Sequence, residues 1–291
     1  MIALDPRLIA LVVLGTLVAP VGVGLLLGAD RKVTAAMQLR VGPPLLQPLY
    51  DLTKLLAKAS PATDRVVAGL LAGQVVLAAG ALALVLSGGD LLAAVLVLGA
   101  AKVLFILAAA AVESPYAQLG ASRELVILVA MEPLLILVVI AYAVAAGSFA
   151  TSAIASRSGL VLSLPTLGLT LAVLLAAALR KSPFDLASSH HAHQELVKGS
   201  TTEMAGRWLA AAELGHWYET AVLLVVIALA AAQMPLLAVV LVAATYGLVV
   251  VVDNSLPRAT WRTALAVAWG LGGAAAIVAL VTAGILGGGA A

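Results

Sequence analysis

The side chains able to carry protons are crowded into one stretch, residues 180–219, RKSPFDLASSHHAHQELVKGSTTEMAGRWLAAAELGHWYE. All four histidines lie there (His190, His191, His193 and His216), with five of the fourteen acids and four of the sixteen bases. Carboxylates interleaved with histidine are what proton transfer requires, because burial and neighbouring charges tune both to accept and release protons. Asp185, Glu195 and Glu203 are spaced along the first part. Glu213, His216 and Glu219 follow at intervals of three, which puts them on one helical face. The competing reading is a solvated loop face with no chemistry. His190 and His193 also share a helical face, which suggests a metal, but no HExxH motif accompanies them. A serine nucleophile has no support either, since the GxSxG elbow and the alternation of strands and helices are both missing.

These residues sit in a very apolar chain. Of its 291 residues 63% are hydrophobic and 10% charged, against about 25% charged in a soluble domain. The composition defines an integral membrane protein. With no cysteine, disulfides, thiolate chemistry and Cys-ligated iron–sulfur clusters are excluded from this chain. No basic stripe interleaved with aromatics points to nucleic acid. A spanning helix takes about 20 apolar residues. Candidate spans cover residues 8–28, 66–86, 91–112, 125–147, 160–179, roughly 204–232, 235–252 and 259–286. The fold expected is all-α: one polytopic membrane domain, 1–291, with eight transmembrane helices and long cytoplasmic loops. The first run is read as a retained helix, since MIALDPR mixes acid and base and no cleavage-like end follows.

Lysine and arginine set the orientation. Thirteen fall after odd-numbered spans: Arg31, Lys32, Arg40, Lys54, Lys58, Arg65, Arg123, Arg180, Lys181, Lys198, Arg207, Arg258 and Arg262. Only Arg7 and Arg157 fall on the other side. Both termini are therefore expected outside, with residues 30–65 and 180–219 facing the cytoplasm.

Two charges interrupt the spans. Lys102 lies ten residues from the end of the third span and Glu132 seven from the start of the fourth, so their depths differ by about 4–5 Å. A charge at the bilayer centre costs roughly 2.5–3.5 kcal/mol and faces protein or water. An ion pair or shared hydrated site between them is expected, either structural or functional. Counting back from residue 232 places Glu213 near the boundary of the sixth span, and His216 and Glu219 within it. The favoured reading is a polar channel; the competing, shallower one takes Trp208, Trp217 and Tyr218 as an interfacial belt with these groups at the headgroups. The 30–65 segment opens with RKVTAAMQLR, which is amphipathic and suited to the membrane surface. Gly42, Pro43 and Pro44 then break the helix. Leu45, Leu49, Leu52, Leu55 and Leu56 recur at helical spacing opposite Asp51, Lys54 and Lys58. That surface either braces the bundle or docks a soluble partner.

Two stretches, RVGPPLLQPLYDLTKLLAKAS and SPFDLASSHHAHQELVKGSTTEMAG, resemble the eight-helix membrane-anchor subunit of respiratory complex I. They look still more like its counterpart in energy-converting, Ech-type (group 4) NiFe hydrogenases, and the resemblance covers essentially the whole chain. Complex I anchors carry a longer insert after the first Gly-Pro and an acid-rich run after Pro-Phe-Asp-Leu. GPPLLQP and ASSHHAHQELV are the hydrogenase-like forms, and Ala59 stands where a glutamate is common. The resemblance implies a non-catalytic subunit with no cofactor of its own. It implies a NiFe centre and iron–sulfur clusters in partner subunits: the hydrogenase large and small subunits and a ferredoxin-like iron–sulfur subunit. An antiporter-like membrane subunit would take up the coupled H⁺ or Na⁺. By matched motif position, Asp185, Glu195 and Glu203 are the coupling acids. Arg40, Gly42, Pro43, Pro44, Gln47, Pro48, Asp51 and Lys54 form the docking stretch. Lys102, Glu132, Glu213, His216 and Glu219 join the coupling set on the depth argument. The rival readings are an anchor for a quinone-reducing or formate-linked enzyme, a stand-alone transporter, and a purely structural anchor.

Overall fold

The computed structural model describes residues 6–60, 64–182, 184, 199–256 and 260–288. Asp185, His190, His191, His193 and Glu195 lie outside the described residues. The described chain is all helical, and its only β feature is an isolated bridge between Asp90 and Ala150. In chain order the helices are α1 (Pro6–Met37), α2 (Gln47–Ala57), α3 (Arg65–Leu86), α4 (Leu91–Ala110), α5 (Pro115–Ala146), α6 (Thr151–Ser156), α7 (Leu160–Ser163), α8 (Leu167–Ala178), α9 (Gly206–Leu229), α10 (Pro235–Ser255), α11 (Trp261–Ala266) and α12 (Ala274–Gly288).

Among the described residues, seven helical stretches are long and apolar enough to cross a membrane. The expected fifth span is present in two pieces, α7 and the 12-residue α8. Pro165 explains the break, because a proline drives the residue before it out of helical geometry. Leu164 accordingly has φ −128° and ψ 55°. The last span is continuous but contains a π-helical stretch, Val267–Gly273, between α11 and α12. A π turn loosens the backbone ladder, and buried Thr170 of α8 donates a hydrogen bond to the Gly272 carbonyl at 2.9 Å.

Three sequence-based expectations are corrected. The basic segment after the first span is not a separate surface helix: α1 runs on through Arg31 and Lys32 to Met37. The stretch taken as a loop before the fourth span is mostly helix, because Pro115 starts α5 at a position where its fixed φ suits a first turn. This places Arg123 and Glu124 on α5. Trp217 and Tyr218 form no interfacial belt, since both pack inside the bundle at 5% and 8% exposure.

The centre of the bundle is α9, which contacts α1, α2, α3, α4, α8 and α10. Of its most apolar window 67% is buried, against 17% for α1. Small residues let neighbours reach it. A side chain at Gly215 would strike the Gln74 amide of α3, and one at Gly24 of α1 would meet Leu49 and Trp217. The chain after α1 folds straight back, so that the Leu45 carbonyl lies against Gly28 with no room for a Cβ. Pro48, Leu49 and Leu52 of α2 are thereby held against the bundle. Gly28→Ala would force that backbone away, an overpacking cost of about 1–3 kcal/mol. We expect a lower unfolding midpoint in detergent for Gly28→Ala, and little change for Gly22→Ala, where a Cβ meets nothing within 4 Å.

Candidate functional site

The charged site is assembled from four helices at the basic end of the bundle. Lys102 on α4 reaches Glu219 on α9, with Nζ 2.8 Å from Oε1. His216, one turn before Glu219, places Nδ1 3.6 Å from Glu219 Oε2, a contact too long for a hydrogen bond and an ion pair only when the ring is protonated. Phe105 of α4 meets the His216 ring edge to face, with centroids 4.7 Å apart. Arg180, just past the end of α8, lies 2.7 Å from His216 Nε2 and 2.7 Å from Glu124 Oε1 on α5. Glu124, Arg180, His216, Glu219 and Lys102 thus form one contact chain across α5, α8, α9 and α4. They line a cavity of about 40 Å³ with Gln74, Phe105 and apolar side chains from α3, α4, α5, α8 and α9. That volume exceeds what one water needs, and Gln74 Oε1 is buried there without a hydrogen-bond partner among the described residues.

Glu132 stands beside this chain but not in it. The predicted pairing of Lys102 with Glu132 is corrected, because the lysine is taken by Glu219. Glu132 on α5 lies over Gly99 of α4, so closely that a Cβ there would overlap its carboxyl. Both carboxyl oxygens are buried with no hydrogen-bond partner among the described residues. It remains near enough to interact electrostatically with Lys102. Glu132 is therefore the acid of the cluster that can exchange a proton or a cation without breaking an existing bond.

Of the other expected coupling residues, Glu213 is half-buried one turn before His216, and Glu203 is exposed beyond the start of α9. Neither joins the contact chain, so the expectation of a buried Glu203 is corrected for this chain. Among the described residues, no three His, Asp or Glu side chains converge to hold a metal ion.

A second buried cluster had no signal in the sequence. Lys181 Nζ lies 3.0 Å from both Asp30 of α1 and Asp253 of α10. The Tyr246 hydroxyl donates to Asp30 at 3.3 Å, and the Ser182 amide donates to Asp253 at 2.9 Å. Asp30, Lys181 and Asp253 each look like an ordinary helix-end charge in sequence. Only the packing of α1 and α10 on either side of the α8 terminus brings them together. The cluster pins the start of the 180–219 stretch immediately after Arg180.

On the surface, the expected docking stretch is a continuous patch. Arg31 pairs with Asp51 at 3.1 Å and Gln47 donates to Asp51 at 2.8 Å. Arg40 donates to Gln38, which donates in turn to Asn254 of α10. Lys54 and Pro44 are exposed, Gly42 and Pro43 half-buried, and Pro48 buried against the bundle. Leu39 and Val41, at the tip, are 96% and 102% exposed, although both are large and apolar. The far end of this segment meets the 180–219 stretch, because Ser60 Oγ accepts from the Arg207 amide at 3.1 Å. Gly206, at φ +57°, fits there where a side chain would strike Ser60.

A bundle of apolar spans that encloses a chain of charged contacts near one end is the architecture of a polytopic membrane protein. The chain belongs to the NADH dehydrogenase family of such membrane subunits, whose family model matches residues 9–284. No curated protein matches it. Among solved structures, it is similar to a chain of the membrane-bound sulfane sulfur reductase, an archaeal respiratory membrane complex. The TM-score is 0.77 at 23% identity, over 95% of this chain and 99% of that one.

Removing one partner of a buried pair costs about 3–5 kcal/mol, because the other charge is left uncompensated. Lys102→Met should therefore lower the unfolding midpoint more than Lys102→Met combined with Glu219→Gln. A double-mutant cycle read by detergent thermal unfolding measures the difference.

Proposed function

We propose that this chain is the membrane-anchoring, ion-coupling subunit of a ferredoxin-linked NiFe hydrogenase complex. The observation that carries the coupling part is the continuous chain from Glu124 through Arg180, His216, Glu219 and Lys102, with the unengaged Glu132 at its inner end. The hydrogenase part is supported by GPPLLQP and ASSHHAHQELV in their matched positions. The basic end of the bundle faces the cytoplasm on this reading, in line with thirteen of sixteen lysines and arginines.

The docking patch around Leu39, Arg40 and Val41 carries the soluble module. Turnover at the partner's NiFe centre displaces or recharges groups in the 180–219 stretch, including Asp185, Glu195 and Glu203. The contact of Ser60 with Arg207 links that stretch to the docking segment, and Arg180 links it to the buried chain. A charge arriving at this end shifts His216 and Glu219, loosens Lys102, and leaves it to answer to Glu132. The proton or Na⁺ then passes to an antiporter-like neighbour. This chain holds no redox centre; nickel, iron and iron–sulfur clusters reside in partners.

A second reading is favoured by the structural likeness to the sulfane sulfur reductase chain. On it, the soluble module reduces sulfur rather than protons, and the coupling residues keep their roles. Purification of the tagged chain in mild detergent, with metals assayed in what accompanies it, separates the two. Nickel with iron, and hydrogen evolution from reduced ferredoxin, is the expected result. Iron without nickel, with sulfur-reducing activity, would establish the second reading, and bound quinone would establish a quinone-reducing anchor.

In vesicles, Glu219→Gln and Glu132→Gln should each abolish most ion translocation while the complex still assembles and evolves hydrogen. Pumping that survives both changes would make the chain a structural anchor only. Because the chain has no cysteine, sidedness is directly measurable. Gln118→Cys should react with an impermeant thiol reagent added from the cytoplasmic side, and Ser158→Cys with the same reagent added from outside.

A further inference from the structure

Among the described residues, Arg180 stands where the buried charge chain meets the start of the 180–219 stretch. Arg180 follows the last turn of α8 with φ 51°, the left-handed conformation that usually takes glycine at a helix end. Its amide still closes the helix on the Ala177 carbonyl at 3.0 Å, and the next amide reaches Ala176 at 2.9 Å. A glycine would make this turn with less strain, so the turn alone gives no reason for an arginine. Strain of this kind persists where surrounding contacts demand the side chain.

The guanidinium touches three helices other than its own. It pairs with Glu124 of α5 at 2.7 Å, lies against the His216 ring of α9 at 2.7 Å from Nε2 and 3.4 Å from Nδ1, and sits 5.6 Å above the Phe105 ring of α4. It lines the cavity that also exposes Lys102 and Glu219, and its side chain is only 18% exposed. Lys181, the next residue, is anchored to Asp30 and Asp253, so the backbone beneath Arg180 cannot drift.

We propose that Arg180 is the stopper of this cavity: docked, it closes the basic-end mouth, and water or ions reach the Lys102–Glu219 pair only when it leaves. The release signal is built into its seat. A guanidinium only donates hydrogen bonds, and it repels a second cation, so Arg180 docked on the ring and a protonated His216 exclude one another. The charged or titratable groups facing His216 are Glu124 from α5, Lys102 from α4, Glu219 from α9 and Arg180 itself. When Arg180 swings away it keeps Glu124 as a partner, so release does not strand its charge. A proton that reaches His216 thus opens the path to Glu219 as it arrives. The stopper rests on the coupling role proposed for the cluster, but its test does not need ion translocation.

The absence of cysteine permits a direct accessibility measurement. Ala177 lines the cavity one turn below Arg180 and is buried, so Ala177→Cys reports whether the cavity is open. The intact complex in membrane vesicles is treated with a small cationic methanethiosulfonate, labelling is read on this chain, and Gln118→Cys on the exposed first turn of α5 is the reference. Ala177→Cys should react slowly with Arg180 present and at least about tenfold faster when combined with Arg180→Ala. Glu124→Gln, which leaves Arg180 in place but removes its second partner, should give an intermediate rate. Equal rates with and without Arg180, measured against an unchanged reference, would overturn the stopper. If labelling follows Arg180 while vesicles fail to translocate ions, the stopper stands and the coupling reading falls.

Discussion

The ion pair between Lys102 and Glu219 is the constraint around which the bundle is built. Placing either charge alone in the membrane interior costs several kcal/mol, and a buried pair repays that cost only when its geometry and neighbours are right. The contact at 2.8 Å supplies the geometry. The neighbours come from several helices: His216 on α9 itself, Phe105 on α4, Glu124 on α5 and Arg180 at the end of α8. The central position of α9 follows from this need, since a helix with Glu213, His216 and Glu219 on one face cannot meet lipid there. Gly215, whose missing side chain admits the Gln74 amide, lets α3 close the remaining side.

The same arrangement separates groups with fixed partners from a group without one. Glu219 is committed to Lys102 and Glu124 to Arg180, whereas Glu132 is buried with both oxygens unengaged. A cluster made wholly of committed pairs would be rigid. Among the described residues, this one holds an acid, Glu132, that no hydrogen bond commits. Gly99 is the local reason the free acid fits, because any side chain there would occupy the space of the carboxyl.

Two further features tie this interior to the surface. The Asp30–Lys181–Asp253 cluster locks α1, the α8 terminus and α10 together at the point where the 180–219 stretch begins. The contact of Ser60 with Arg207 joins the end of the docking segment to the start of α9. A displacement of the docking segment therefore bears on the helix that carries His216 and Glu219, and the locked cluster keeps the helix ends around it from yielding. The broken fifth span and the π stretch of the last one pack together through Thr170 and Gly272, so the irregular backbone is satisfied within the protein and not left to lipid.

Composition and run length alone determined that this chain is an all-helical membrane protein, because a continuous apolar run of about 20 residues satisfies its own backbone in lipid as a helix, whereas barrel strands are shorter and alternate. The two loop motifs carried the family, and the cost of intramembrane charge marked Lys102, Glu132 and Glu219 before any packing was known. Periodicity also placed His216 and Glu219 on one face. Tertiary structure decided the partners. Lys102 and Glu132 are both deep charges, and nothing in one dimension says that α9, more than a hundred residues later, supplies the nearer carboxylate. Arg180, Glu124, Lys181, Asp30 and Asp253 read in sequence as helix-end charges in the wet loops. Their burial arises because α1 and α5 extend past the expected spans, and because an ion pair is set by distances between helices that the order of residues does not contain.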